Sequence, residues 1–256
     1  MIDKRNMIRI FTRSLFLILL VLLSCSGGNQ KEYEIGMDPT WTPLPFGNRE
    51  QNVTAFSTEL LREICKLEKI AITKVNVSWD NLMSGLQKKQ YQAILSAMPP
   101  QLYILQTYDF SNLFLRLGPV LVVRNDSTIN GLDALQGKEV AVIFNPSDAT
   151  LLQQAPGVLI KEYMQIAVAL NDVVNETIDA AVVDILTATA YCQDLYQGQL
   201  KIATPPLTDA GLRLISLHNT APGLIESFNA GLKKLQASGK YDTLRQKWGL
   251  NESAPQ

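Results

Sequence analysis

Two rhythms of apolar and polar positions alternate along most of this chain. A period near two marks strands and a period near 3.6 marks helices. Glu32 to Met37 reads as a short strand, and Pro39, Pro43, Pro45 and Gly47 make the next stretch a loop. Phe56, Leu60, Leu61, Ile64 and Leu67 recur at helical spacing and predict a helix over 56–67. Ile72 to Val77 alternates as a strand. A second helix is predicted over 79–88, with Leu82, Met83 and Leu86 on one face and Asp80 near its start. Gln92 to Met98 has the look of a buried strand, which Pro99-Pro100 ends. Further on, strands are predicted over 118–124, 138–144, 158–163, 180–183 and 212–217. Helices are predicted over 166–174, 185–195, 222–237 and 241–248, with a helical turn at 132–135. Leu224, Phe228, Leu232 and Leu235 give the helix over 222–237 one apolar face. Asn145-Pro146-Ser147-Asp148 looks like a helix start. Short strands alternating with helices predict α/β layers with largely parallel sheets. No internal repeat is evident.

The first residues follow neither rhythm. Lys4, Arg5, Arg9 and Arg13 form a positive region that precedes an apolar run from Leu15 to Leu23, nine residues long. A helix needs about 20 apolar residues to cross a bilayer, so the segment reads as a signal peptide over 1–24. Leu22-Leu23-Ser24-Cys25 resembles a bacterial lipobox. That resemblance implies that Cys25 is lipidated and anchors the chain to a membrane, with residues 25–32 as lipidated Cys and polar tether. A plain cleaved signal is the alternative. Ser26 after the Cys is compatible with an outer membrane destination in a two-membrane cell.

Composition narrows the classes. The 256 residues carry 23 Lys and Arg against 24 Asp and Glu, a net charge of −1. Residues 1–24 hold four of the bases and one of the acids, so the remainder has net charge −4. No basic block is present to neutralise phosphates, and no nucleic-acid partner is expected. A single histidine, His218, excludes a multi-histidine metal site, and no Cys/His cluster has zinc spacing, so neither metal nor cofactor is expected. Cys65 and Cys192 sit about half a chain apart. Two free buried thiols are the expectation over a disulfide, which an oxidising compartment would permit.

Several stretches, in order, resemble the family 3 extracellular solute-binding proteins, the polar amino-acid receptors of ABC transporters. They are Met37-Asp38-Pro39-Thr40-Trp41-Thr42-Pro43, then Ala55-Phe56-Ser57-Thr58-Glu59-Leu60, then Val77-Ser78-Trp79-Asp80-Asn81-Leu82 with Gly85-Leu86-Gln87. Tyr108-Asp109-Phe110-Ser111, the Leu132 to Val140 stretch and Ile178-Asp179-Ala180-Ala181-Val182-Val183-Asp184 follow. The tail from Phe228 through Gly231, Leu235, Gly239 and Tyr241 to Lys247-Trp248-Gly249 is the closest match. The resemblance spans residues 33–250. It implies a two-lobed α/β periplasmic-binding-protein-like fold of type II, with two strands crossing the hinge and ligand in the cleft. Lobe 1 would comprise 33–120 plus 207–250, lobe 2 would comprise 121–206, and 251–256 would be a tail. Val120 to Arg124 and Thr204 to Thr208 would form the hinge. The implied protein is a monomer. It is not an enzyme, and it delivers a small amino-bearing polar solute to an ABC permease from a periplasmic or extracytoplasmic, lipid-anchored position.

The resemblance also implies the ligand set: Asp38, Trp41, Trp79, Ser96, Ala97, Met98, Asn145, Ser147 and Asp184. Trp41 and Trp79 would wall the pocket, or pack in the core instead. Asp184, after a strand, lies where ligands of open α/β sheets bind and would pair with an ammonium, or cap the next helix, or do both. Asn145 stands where the family has Gly, Pro146 has no N–H to donate, and Ser147 is the hydroxyl that remains. The largest departure is in lobe 1. There Ser96-Ala97-Met98-Pro99-Pro100-Gln101-Leu102-Tyr103-Ile104 replaces a segment in which the family's arginine grips a carboxylate, and Ile104 stands at that position. Three readings stay open: another cation such as Arg49 or Arg116 holds the carboxylate; the solute is an amide, amine or short peptide; or the site has drifted. Two other uses of the fold are an enzyme, for which no poised cleft histidine or nucleophile elbow is present, and a receptor reused for interaction or sensing.

Overall fold

The structure is a computed structural model and describes residues 31–41, 44, 48–143, 150–153 and 155–250. The first strand is β1 (Glu32–Met37), followed by α1 (Glu50–Glu68), β2 (Ala71–Asn76), α2 (Trp79–Gln87) and β3 (Ala93–Ser96). Three short strands come next: β4 (Tyr108–Phe110), β5 (Leu115–Arg116) and β6 (Pro119–Arg124). A 3-10 turn (Leu132–Leu135), β7 (Glu139–Ile143), β8 (Leu159–Tyr163), α3 (Ile166–Val174), β9 (Ala180–Asp184), α4 (Ile185–Gln193) and β10 (Leu200–Ile202) follow. The chain closes with β11 (Gly211–Leu217), α5 (Pro222–Ala237) and α6 (Lys240–Lys247).

These strands make two sheets, one per lobe. The first has the order β2-β1-β3-β11-β4, with β5 also paired to β11; the second runs β10-β6-β9-β7-β8. Within each, the strands joined by helices run parallel: β1 with β2 and β3, and β7 with β8 and β9. One late strand, β11, enters the first sheet antiparallel between β3 and β4. This is the two-lobed α/β architecture the resemblance implies. The chain passes between the lobes twice. Leu117 N donates to the Ala210 carbonyl at 2.9 Å, and Leu207 N to the Pro119 carbonyl at 2.8 Å. Pro119 and Val120 already pair with β9. Gly118 sits where the two passages touch: a Cβ there would lie 2.7 Å from both the Thr208 carbonyl oxygen and its Oγ1.

The helix α1 forms because its apolar positions repeat on one face. Val53, Phe56, Leu60, Leu61 and Ile64 are buried, with Ser57 among them. They pack against α5, whose Leu224, Phe228, Leu232 and Leu235 are buried in turn. Burying a side chain of this size contributes about 1.5–3 kcal/mol. Helix α1 starts at Glu50, six residues before the predicted Phe56, because its first turns are polar and carry little periodicity. It ends at Lys69, whose left-handed φ of 55° lets its N–H reach the Cys65 carbonyl. On the other face of the first sheet, Tyr91 fills a pocket beneath α2. It is 2% exposed and donates its hydroxyl to the Leu82 carbonyl at 2.6 Å. Gly36 and Gly85 admit the side chain: a Cβ would fall 2.8 Å from the ring at Gly36 and 2.2 Å from the hydroxyl oxygen at Gly85.

One cluster of buried apolar side chains runs from the α1/α5 face of the first lobe, through Phe114, Leu115 and Val120, into the α3/α4 face of the second. Cys65 and Cys192 are free thiols. Burial raises both, that of Cys192 to about 11. No helix among the described residues is long and apolar enough to cross a membrane.

Candidate functional site

Register locates the functional edge of each sheet. In the second lobe, Asp184 ends β9 opposite Pro119, the first residue beyond the crossing. Since β7 is parallel to β9, its carboxyl end at Ile143 lies at the same edge. In the first lobe, Ser96 ends β3 opposite Arg213, two residues after β11 begins at the other passage. The carboxyl end of β1, parallel to β3, is beside it. The carboxyl ends of both sheets therefore border the crossing, where open α/β sheets hold ligands.

Asp38 organises the first-lobe edge. It is 5% exposed and directly follows β1. Its Oδ1 accepts from Thr40 N at 2.8 Å and Thr40 Oγ1 at 2.7 Å, and its Oδ2 accepts from Trp79 N at 2.9 Å. Trp79 is the first residue of α2, so the carboxylate satisfies one of that helix's orphan donors and sits at its positive end. One side chain thus ties the loop carrying Trp41 to the helix carrying Trp79. The two indoles differ. Trp79 is 39% exposed, a face available to solute. Trp41 is 3% exposed, with a left-handed φ of 59° and its Nε1–H donating to Thr54 Oγ1 at 2.7 Å. It packs in the core of the first lobe.

Ser96 is buried and its Oγ accepts from Met98 N at 3.2 Å, which turns the chain out of β3. Ala97 and Met98 are partly buried, and Met98 packs with Ile104 against the Tyr91 cluster. Ile104 is thus an apolar packing residue. Of the two cations considered as replacements, Arg49 donates through Nη1 to the Gly249 carbonyl and holds down the C-terminal segment with Asn52, which donates to the Trp248 carbonyl at 2.9 Å. Arg116 is about half exposed and lies 3.5 Å from Asp209 Oδ1. A third cation escaped the sequence reading. Arg213 is half-buried on β11, and its Nη2 donates to the Asp209 carbonyl at 3.2 Å. Its Nε is buried with no acceptor in hydrogen-bond reach among the described residues. Burial holds its guanidinium below the usual arginine range, with Asp209 opposing and Arg116 reinforcing. The signal was present: one cation amid the apolar run 212–217.

Asp184 is half-buried and occupies the N-cap position of α4, without a side-chain capping bond to it. Asn145 and Ser147 lie outside the described residues, as does Cys25.

A polar concavity of about 320 Å³ lies at the opposite end of the second lobe, walled by Arg124, Asp126, Lys138, Glu176 and Asp179. Its charges pair with one another: Arg124 with Asp126 at 2.7 Å and with Glu176, and Lys138 with Asp179 at 2.9 Å. It is far from the edge that carries Asp184. No group of three metal-ligating side chains occurs among the described residues.

Residues 33–251 match the bacterial extracellular solute-binding proteins, family 3. The arginine-binding extracellular protein ArtP of Bacillus subtilis is 24% identical over 246 residues, which cover 92% of this chain and 95% of that protein. A probable histidine-binding protein of Campylobacter jejuni is 26% identical over 226 residues, 85% of this chain and 84% of its own. In fold, the chain is similar to the L-cystine solute receptor of Neisseria gonorrhoeae in its unliganded open conformation. The TM-score is 0.72 at 20% identity, covering 89% of this chain and 97% of that one.

Proposed function

The chain belongs to the bacterial extracellular solute-binding proteins of family 3, and from that premise we propose that it captures one small, amino-bearing polar solute between its lobes and delivers it to an ABC permease. The solute is an amino acid of the polar or cationic kind for which its relatives are named, arginine and histidine among them, or a derivative or short peptide. Residues 1–24 act as a signal peptide, and lipidated Cys25 holds the monomeric receptor to a bacterial membrane. Residues 33–118 plus 207–250 and residues 119–206 act as the two closing bodies; the boundary falls two residues before the expected 120 because Pro119 and Val120 pair with β9 of the second sheet.

The observation that carries this reading is the shared edge. Asp184 on one sheet, and Trp79 with the end of β3 on the other, both border the double crossing. Asp184 takes the ligand's ammonium; such a charge-assisted bond contributes about 1.5–3 kcal/mol. Trp79 supplies an aromatic face, and Ser96, Ala97 and Met98 line the end of β3. Asn145 and Ser147 are proposed to contact ligand from the second lobe. Trp41 acts from below, as the packed base of the loop. Solute contacts to both lobes favour the closed arrangement, which the permease recognises.

The test is a thermal-shift and calorimetric screen of the chain from residue 26 onward against the common amino acids, their amides and short peptides. One solute should raise the melting temperature, by an amount set by its excess over Kd, and Asp184→Ala should abolish that shift while the variant remains folded. A screen in which nothing shifts the melt would end the transport reading. A second reading, a receptor with altered or lost binding used for sensing, draws on Ile104 at the position of the family's arginine; it would be favoured by that outcome.

A further inference from the structure

Replacement of the family's arginine by Ile104 removes a cation from the carboxyl end of β3, and the structure brings another cation to the same place from a different strand. Arg213 pairs in register with Ser96, so the two side chains leave the sheet on the same face. Neighbouring strands lie about 4.8 Å apart. The next residue on that face of β11, Ile215, joins the Tyr91 cluster, on which Met98 and Ile104 also pack. Arg213 is one step nearer the crossing than this apolar plug, and its contact with the Asp209 carbonyl draws the guanidinium toward the passage between the lobes.

The charge balance at this corner is uneven. Among the described residues, Arg116 and Arg213 face one carboxylate, that of Asp209. One positive charge is left over. Nε of Arg213 is a buried donor with no acceptor among the described residues, an arrangement that costs stability and so calls for a partner. Nε together with Nη2 forms a side-on fork that matches the two oxygens of a carboxylate.

We propose that Arg213 supplies the cation that holds the solute's carboxylate in this protein, in place of the arginine absent at position 104, and that the ligand is therefore an amino acid with a free α-carboxylate. The amide, amine and drifted-site readings are displaced. The inference rests on the transport reading above, and Asp184 and Arg213 divide the solute between them: ammonium to the second lobe, carboxylate to the first.

The experiment is calorimetric titration of the chain from residue 26 onward with L-arginine, L-histidine and L-glutamine and with the α-amide of each. The wild-type protein should prefer at least one acid over its amide by about 10- to 100-fold, the range of one charged hydrogen-bonded contact. Arg213→Gln should lose that preference by weakening the acid alone, and Arg213→Lys, which keeps the charge but not the fork, should fall between. The wild-type acid-to-amide ratio needs no variant and stands even where Arg213→Gln fails to fold. An amide that binds as tightly as its acid, or an Arg213→Gln protein with unchanged affinity for the acid, overturns the assignment. Should Asp184→Ala abolish binding of acid and amide alike while Arg213→Gln changes nothing, the transport reading survives and the role of Arg213 does not. A wild-type protein that binds no member of the set overturns both.

Discussion

Asp38→Ala removes the acceptor for three donors at once, and the structure sets the size of the effect. The carboxylate is 5% exposed, and its bonds of 2.7–2.9 Å go to two backbone N–H groups and one hydroxyl. Water replaces the acceptor of the Thr40 hydroxyl, which can rotate, more readily than that of the two backbone N–H groups, which are fixed and part-buried, so the loss is dominated by the two amides. Each buried donor left unmatched costs about 1–3 kcal/mol, and removal of a helix-start acceptor costs about 0.5–2 kcal/mol. Together these predict a loss of about 2–4 kcal/mol, allowing for partial hydration. At roughly 2–4 °C per kcal/mol for a chain of this size, the melting temperature falls by about 4–16 °C. Asp38→Asn separates the contacts: one oxygen still accepts from Thr40, whereas the amide nitrogen confronts the Trp79 N–H, donor against donor. It should destabilise by about half as much. Calorimetric melts of both variants, with the solvent quenching of tryptophan fluorescence followed in parallel, measure the effect. Both variants should raise the quenching of Trp41, which is buried in the parent. Melts within about 1 °C of the parent, or an unchanged quenching profile, would show that the aromatic loop and α2 hold their places without this carboxylate.

Two further outcomes follow from contacts described above. Gly118→Ala places a Cβ 2.7 Å from the Thr208 carbonyl; since that neighbour is backbone, the variant should lose about 1–3 kcal/mol in urea unfolding, and a loss below about 0.5 kcal/mol would mean that the two passages separate freely. Glu59 is held below the usual carboxylate range, first by its hydrogen bond from Lys247, with burial opposing, and further by Trp248 and Arg62. A depressed carboxylate stabilises above its unfolded value and loses that contribution as pH falls through the folded one. The stability gap between the parent and Glu59→Gln should therefore be full near neutrality and close below about pH 4.5; a gap that widens on acidification would contradict the pairing.

Much of this architecture was legible because burial imposes periodicity. β1, α3 and α5 fall where their apolar spacing puts them, and most other boundaries move by one or two residues. The misses have physical reasons. β4, β5 and β10 contain two or three residues each, too few to show alternation, and exist because β11 and β6 offer them an edge. β3 stops at Ser96, two residues short of the predicted end, because the serine hydroxyl turns the chain. Trp41 lies in a segment rich in proline, which by composition looks like an exposed loop; its burial depends on Thr54, thirteen positions away on α1, and no local pattern encodes that pairing. The lone cation of the run 212–217, Arg213, is visible locally, but its pairing with Ser96 is not. Its significance comes from the strand opposite, which lies on the far side of a whole lobe in sequence.

The late arrival of β11 also dictates an order of assembly. Every strand of the second sheet lies between residues 119 and 202, so that sheet has all its members before β11 begins. The first sheet must wait with β3 and β4 lacking the partner that goes between them, their backbone donors and acceptors open to any passing strand. Pairing across so long a separation is slow and vulnerable to self-association. A chain halted before residue 211 would hold one sheet with all its described strands and one with a gap between β3 and β4.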